Sequence, residues 1–341
     1  MNPVPEAPAV DAALALAVPE IDATLRRRLA LVENRLREAV ASRDPLADST
    51  SRHLVEAGGK RVRPLLTLLA SHLGDPERAE VLDAAVVVEL THLASLYHDD
   101  VMDSAPVRRG APSAHEVWGN SVAILTGDLL FARASRIVAG LGPEAVRIQA
   151  RTFERLCLGQ LHETVGPADG EDAVSHYVQV LADKTGSLIA TAARFGAMFG
   201  GCSQEIQDVL VQYGEKVGVA FQLADDVIDL TSDRGTSGKT PGTDLREGVV
   251  TLPVLLARRQ AAEQGDRASL AVLEALDVDL SADEDLARAV ALLREHPATA
   301  ATRRQARDWA EDAVAVLAPL PSGVAKDALG AFAEAVVARA S

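Results

Sequence analysis

Apolar residues recur along this chain at helical spacing almost from end to end. Leu25, Leu29, Val32, Leu36 and Val40 fall on one face of a 3.6-residue period. Asp44-Pro45 closes that stretch, and Gly58-Gly59 makes the next break. Helical patterns then cover roughly 65–74, 78–103, 117–139 and 143–165, punctuated by Gly74, Gly110, Gly140, Gly142 and Gly166. Others follow at roughly 171–199, 203–232, 251–264 and 283–295, and two more close the chain. No alternating run demands a strand. The β-branched cluster Val86-Val87-Val88 lies inside a stretch long enough to decide for helix. The pattern predicts an all-α protein: one large helical domain over 24–341, behind a Pro- and Ala-rich segment, Met1 to about Ala23, that is expected to fray. The region from about 283 onward reads as outer helices without chemistry.

Composition narrows the function. The 341 residues are 48% apolar but only 3% aromatic, so the core is aliphatic. A formal net charge of −15 argues against nucleic acid, whose phosphates need basic surfaces. It leaves room for a small anionic substrate, because local cations reverse the field at one site. Cys157 and Cys202 lack metal-ligand spacing and read as two reduced core thiols. No apolar run is long enough to span a membrane, and the start lacks the pattern of a signal peptide. A soluble, cytoplasmic protein is expected, with peripheral membrane contact left open.

Two copies of one acidic pattern carry most of the information. Asp99-Asp100-Val101-Met102-Asp103 ends one apolar run, and Asp225-Asp226-Val227-Ile228-Asp229 ends another. Helical residues at i and i+4 share a face, so Asp99 stacks with Asp103 and Asp225 with Asp229. Crowded carboxylates repel unless a cation neutralises them, and hard oxygen ligands of this kind suit Mg²⁺ completed by water and phosphate. Such a string alone usually marks a solvated face. Here each run ends a nearly apolar helix, which points the carboxylates toward a cavity.

Basic residues keep them company. Lys60 and Arg63 follow the Gly-Gly break, Arg108-Arg109-Gly110 follows the first motif, and Lys184-Thr185-Gly186 interrupts an apolar helix. His92 lies two turns before Asp99 on the same face. Paired arginines beside carboxylates form either a salt-bridge network or a phosphate clamp, for which the guanidinium fork is well suited. Lys184-Thr185-Gly186 lacks the Gly-rich loop of a nucleotide site. The loop Ser232–Gly248, carrying Lys239, follows the second motif and reads as a lid.

With these residues in order the chain resembles trans-type polyprenyl diphosphate synthases of the isoprenoid synthase family. The resemblance rests on Gly58-Gly59-Lys60-Arg61-Val62-Arg63-Pro64, His92 to Asp103, Arg108-Arg109-Gly110, Asn120 to Asp128, Lys184-Thr185-Gly186-Ser187, Phe221 to Asp226 and Gly238-Lys239. It implies a helical bundle around a deep central cavity, acting as a homodimer. It also implies roles. Asp99 and Asp103 would bind Mg²⁺ bridging an allylic diphosphate of geranyl or farnesyl type, with Asp100 supporting them or binding metal in turn. Asp225 would hold a further Mg²⁺, assisted by Asp226 and Asp229. Arg108, Lys184 and Lys239 would grip the allylic diphosphate. Lys60, Arg63, His92 and Arg109 would hold isopentenyl diphosphate. Thr185 and Gln222 would line the reacting end.

Product length follows from what lies one turn before Asp99. Ala94 and Ser95 are small, where the resemblance implies a bulky aromatic in short-chain members. The expected product is long, heptaprenyl to nonaprenyl. Three alternatives are weaker. A class I terpene cyclase usually carries a different second metal motif and needs no isopentenyl site. A non-catalytic regulatory subunit should have lost carboxylates. A di-iron bundle wants Glu-x-x-His pairs, which the motif helices lack.

Overall fold

A computed structural model describes residues 19–231 and 241–339. The described chain is all-α apart from one two-stranded hairpin. In chain order the helices are α1 (Pro19–Val40), α2 (Pro45–Glu56), α3 (Val62–Ser71), α4 (Ala79–Met102), α5 (Ala114–Trp118), α6 (Asn120–Gly140), α7 (Pro143–Val165) and α8 (Ala173–Leu181). A π-helical turn, Ala182–Gly186, follows, then α9 (Ser187–Phe199), α10 (Gln204–Thr231), α11 (Thr243–Arg246), α12 (Leu252–Gln264), α13 (Arg267–Leu276), α14 (Asp283–Glu295), α15 (Pro297–Val316) and α16 (Val324–Ala338). No described helix is long and apolar enough to cross a membrane. The expected fraying of Met1 to Ala23 falls mostly outside the described residues, as do Lys239 and most of the expected lid.

The periodic stretches became helices within a few residues of their expected ends, while α2, α5, α11, α13 and the two-stranded hairpin escaped the pattern. Asp44-Pro45, read as a stop, also starts α2: the Asp44 carboxylate accepts the Ala47 amide at 2.8 Å and Pro45 occupies the first turn, where its missing N–H costs nothing. Asp266 starts α13 in the same way, accepting the amides of Ala268 and Ser269, both at 3.0 Å. Strands β1 (Val107–Arg108) and β2 (Ala111–Pro112) are too short to show alternation. Their turn, Arg109-Gly110, has both residues at positive φ, the pairing that matches strand twist in a two-residue hairpin. The thiols need a correction. Both are free, but Cys157 is exposed and Cys202 half-buried, so neither is a core residue.

The chain divides into two compact units. The first comprises Met1–Arg155, Ser187–Gly214 and Val316–Phe332. Its core is aliphatic, with Leu36, Leu54, Leu66, Leu69, Leu90 and Leu93 fully buried. Tyr97, also fully buried, donates to the Thr50 carbonyl at 2.5 Å and accepts the Leu54 amide at 3.3 Å, tying α4 to α2. The second unit comprises Leu156–Gly186, Glu215–Ala315 and Ala333–Ser341. It packs Leu230, Val254, Val272, Leu286 and Leu293 in one cluster, and Leu181, Val219, Leu223, Leu252 and Ala306 in another.

Candidate active site

In the first unit, α4 stops at the acidic motif. The Asp103 amide donates to the Asp99 carbonyl at 2.8 Å, so these two residues stand one helical turn apart. Asp99 is half-buried and Asp103 exposed. The last turn of α4 carries no basic residue, so the carboxylates add to the negative end of the helix dipole. Asp100 points inward, fully buried, and accepts Arg108 Nε at 2.6 Å on Oδ1. Its Oδ2 is buried without a hydrogen-bond partner.

Behind the motif four arginines act electrostatically on one imidazole. Burial, and then Arg63, Arg109, Arg108 and Arg61 in that order, hold His92 well below the usual histidine range, so it is neutral at neutral pH. Arg63 is half-buried and its Nε is a buried donor without an acceptor, which an anion would satisfy. Burial lowers its pKa to about 10, and it stays charged at neutral pH. Arg109 donates to the carbonyls of Leu54, at 3.0 Å, and Gly58. Lys60 is exposed. Ala94 is fully buried, and the half-buried Ser95 turns its hydroxyl back onto the His92 carbonyl at 2.9 Å.

In the second unit, α10 ends at the other motif, again with no basic residue in its last turn. Asp225 is paired with Arg339 at 3.3 Å. Asp226 is 1% exposed; its Oδ2 accepts Tyr177 Oη at 2.7 Å and the Leu252 amide at 3.4 Å, while Oδ1 is buried without a partner. Burial pushes its pKa up to about 7, with Tyr177 and the Leu252 amide opposing and neighbouring Asp225 adding to the shift. Asp229 accepts the amides of Thr243 at 3.2 Å and Asp244 at 3.3 Å, starting α11. Lys184 pairs with Glu163. The π-helical turn fits because α10 has Gly218 there: a Cβ at 218 would lie 2.4 Å from the Gly186 Cα. In that turn the buried Thr185 hydroxyl donates to Gln222 Oε1 at 3.4 Å.

Among the described residues no three His, Cys, Asp or Glu side chains gather closely enough to form a ready-made metal centre. The residues nonetheless fit a hard divalent cation. Their donors are carboxylate oxygens, Asp100 Oδ2 and Asp226 Oδ1 are buried and unpartnered, and both helix ends lack a basic residue. A consequence follows for the metal-free protein. A carboxylate raised from 3.8 to about 7 costs nothing below both values; its cost grows as pH rises between them and is complete above 7. Asp226→Asn should therefore stabilise the metal-free protein at pH 8, by up to about 4 kcal/mol, and by about half that or less at pH 5. Urea melts in chelator at the two pH values check this; an equal gain at both would contradict it.

Residues 44–293 match the Polyprenyl synthetase family. They include both acidic helices and every basic residue described above except Arg339. The chain belongs to that family. Nonaprenyl diphosphate synthase of Mycobacterium tuberculosis is 46% identical over 93% of this chain and 94% of its own. A polyprenyl synthase from Caulobacter crescentus, solved with calcium and isoprenyl diphosphate, superposes with a TM-score of 0.86 at 33% identity, over 96% of this chain and 99% of that one. A geranylgeranyl pyrophosphate synthase from Corynebacterium glutamicum, also solved with calcium and isoprenyl diphosphate, gives 0.82 at 42% identity, over 95% and 98%. The enzyme is thus a prenyltransferase with the all-α isoprenoid synthase fold and prenyl diphosphate synthase activity. Neither a cyclase nor a regulatory subunit is favoured.

Several residues of these two clusters were not singled out from the sequence. Glu89 had a signal, a charge inside Val86-Val87-Val88-Glu89-Leu90. Arg61, Glu33, Tyr177, Glu163 and Arg339 had none, because their roles depend on partners 21 to 114 positions away.

Proposed function

We propose that the enzyme joins an allylic diphosphate of geranyl or farnesyl type to successive isopentenyl diphosphates in a Mg²⁺-dependent reaction, giving an all-trans heptaprenyl to nonaprenyl diphosphate. The observation that carries this reading is the pair of helices ending in carboxylates, together with the arginines around a neutral His92. We take the two units as one catalytic domain, working in the cytoplasm as a homodimer. Exposed apolar side chains on α5 to α7 of the first unit, Val117, Ile124, Leu125, Val146 and Phe153, support the dimer.

Asp99, Asp103 and Asp225 would hold the metal, with Asp100, Asp226 and Asp229 supporting them. Bound Mg²⁺ supplies charge that stabilises the departing diphosphate. Arg108, Lys184 and Lys239 share that anion as fixed cations. Lys60, Arg63 and Arg109 hold the isopentenyl diphosphate, and a neutral His92 can donate one N–H to it. Holding the two substrates together makes carbon–carbon bond formation effectively unimolecular. Thr185 and Gln222 line the reacting end, where water would otherwise trap the allylic cation. The released diphosphate accepts the proton that elimination sets free, the carboxylates assigned above being committed to metal.

The long product rests on Ala94 and Ser95. The 46% identical relative is named for a nonaprenyl product and the 42% identical structure for a geranylgeranyl one, so local side chains must decide. Mass analysis after incubation with farnesyl and isopentenyl diphosphates tests the activity and its length together; products no longer than geranylgeranyl diphosphate would exclude the long-chain reading. Ala94→Phe should shorten the product by several isoprene units without lowering the melting temperature. A lower melting temperature with unchanged products would mean that Ala94 only packs, since overfilling a closed core costs about 1–3 kcal/mol.

A further inference from the structure

Between Lys60 and Arg63 stands Arg61, which the substrate reading leaves without a role. It is only 4% exposed and sits at φ +50°, a conformation that side chains bearing a Cβ rarely adopt. Its guanidinium fork fixes it there. Nε donates to Glu33 on α1. Nη1 donates to Glu89 on α4 at 2.9 Å and to the Gly58 carbonyl at 3.2 Å, and Nη2 donates to the Val55 carbonyl at 3.1 Å. Glu33 and Glu89 are themselves buried, 4% and 1% exposed. The same Gly58 carbonyl also accepts Arg109. Gly59 makes this approach possible: at φ +138° it has no Cβ, and one there would lie 2.7 Å from Arg109 Cζ. Two guanidiniums therefore hold one carbonyl, and the turn they hold carries Lys60 and starts the helix that carries Arg63.

We propose that Arg61 is a positioning residue for isopentenyl diphosphate: clamped by Glu33 and Glu89, it locks the 58–63 turn so that Lys60, Arg63 and Arg109 keep the spacing of a diphosphate site. Arg61 touches no substrate. The proposal rests on the reading that this turn holds isopentenyl diphosphate. A lysine cannot replace the arginine here, because a single ammonium lacks the planar fork that reaches both glutamates and two carbonyls.

The test is steady-state kinetics on variants shown by thermal melts to be folded at the assay temperature. Arg61→Lys should raise KM for isopentenyl diphosphate about tenfold or more, with KM for farnesyl diphosphate and kcat within about twofold of wild type. Glu89→Gln, which keeps an acceptor but loses the charge, should shift the same KM in the same direction by less, and it carries the comparison if Arg61→Lys does not fold. Lys60→Ala tests the underlying site reading separately and should raise KM for isopentenyl diphosphate on its own. If Lys60→Ala raises it while the Arg61 and Glu89 variants leave it unchanged, or move both KM values together, Arg61 supports the fold alone and the proposal is overturned. If Lys60→Ala leaves it unchanged too, the site reading falls and the proposal with it.

Discussion

Asp99→Asn and Asp225→Asn should each lower the rate of product formation by about a thousandfold or more while leaving the fold intact. Both residues lie at the C-terminal end of a helix whose last turn has no basic side chain. The asparagine is nearly isosteric and removes only the charge, and with it the attraction for a divalent cation. Stability should hardly change. Asp99 loses a repulsion from the helix dipole, and Asp225 forms a partly exposed pair with Arg339, a kind worth about 1 kcal/mol or less. Turnover assays at saturating magnesium, paired with thermal melts, check both halves. A variant retaining a tenth of wild-type turnover would remove its carboxylate from the metal-binding assignment.

The second large effect concerns stability. Arg61→Met should destabilise the protein by about 3–5 kcal/mol, because Glu33 and Glu89 stay buried with their shared countercharge gone. For a chain of this length that corresponds to a fall in melting temperature of roughly 4–7 °C. The triple variant Arg61→Met, Glu33→Gln, Glu89→Gln should recover most of the loss, since removing a buried ion cluster entirely costs far less than breaking it. Arg61→Met melting within about 2 °C of wild type would show that the glutamates find other partners.

Much of this was legible in the sequence, for a physical reason. Long helices with apolar faces announce themselves by periodicity, so α4, α7 and α10 were found, the first and last of them with their acidic ends in place. The interruption at Lys184-Thr185-Gly186 was visible as polar residues in an apolar run, and it is a π-helical turn with Thr185 against Gln222. Elements set by one or two residues were not legible. Helix α2 begins at a capping aspartate that also ended the previous stretch, and the 107–112 hairpin is a turn with two residues on each side. Among the charges, sequence separated carboxylate from base but not surface from interior. Nothing local distinguishes Arg61, buried on two glutamates, from Lys60, its exposed neighbour. Likewise the two halves of Asp99-Asp100 are alike on paper, yet Asp100 is turned fully inward onto Arg108. The first difference comes from glutamates 28 positions away in either direction, and the second from which side of α4 faces the core; no short pattern records either.

The most direct test is a crystal structure of the enzyme grown with magnesium, isopentenyl diphosphate and a thio-substituted allylic diphosphate that cannot ionise. Magnesium bound at Asp99 and Asp103 and at Asp225, with isopentenyl diphosphate on Lys60, Arg63 and Arg109, is the predicted result. Diphosphate bound with both acidic motifs free of metal, or metal at one motif and substrate elsewhere, would contradict it.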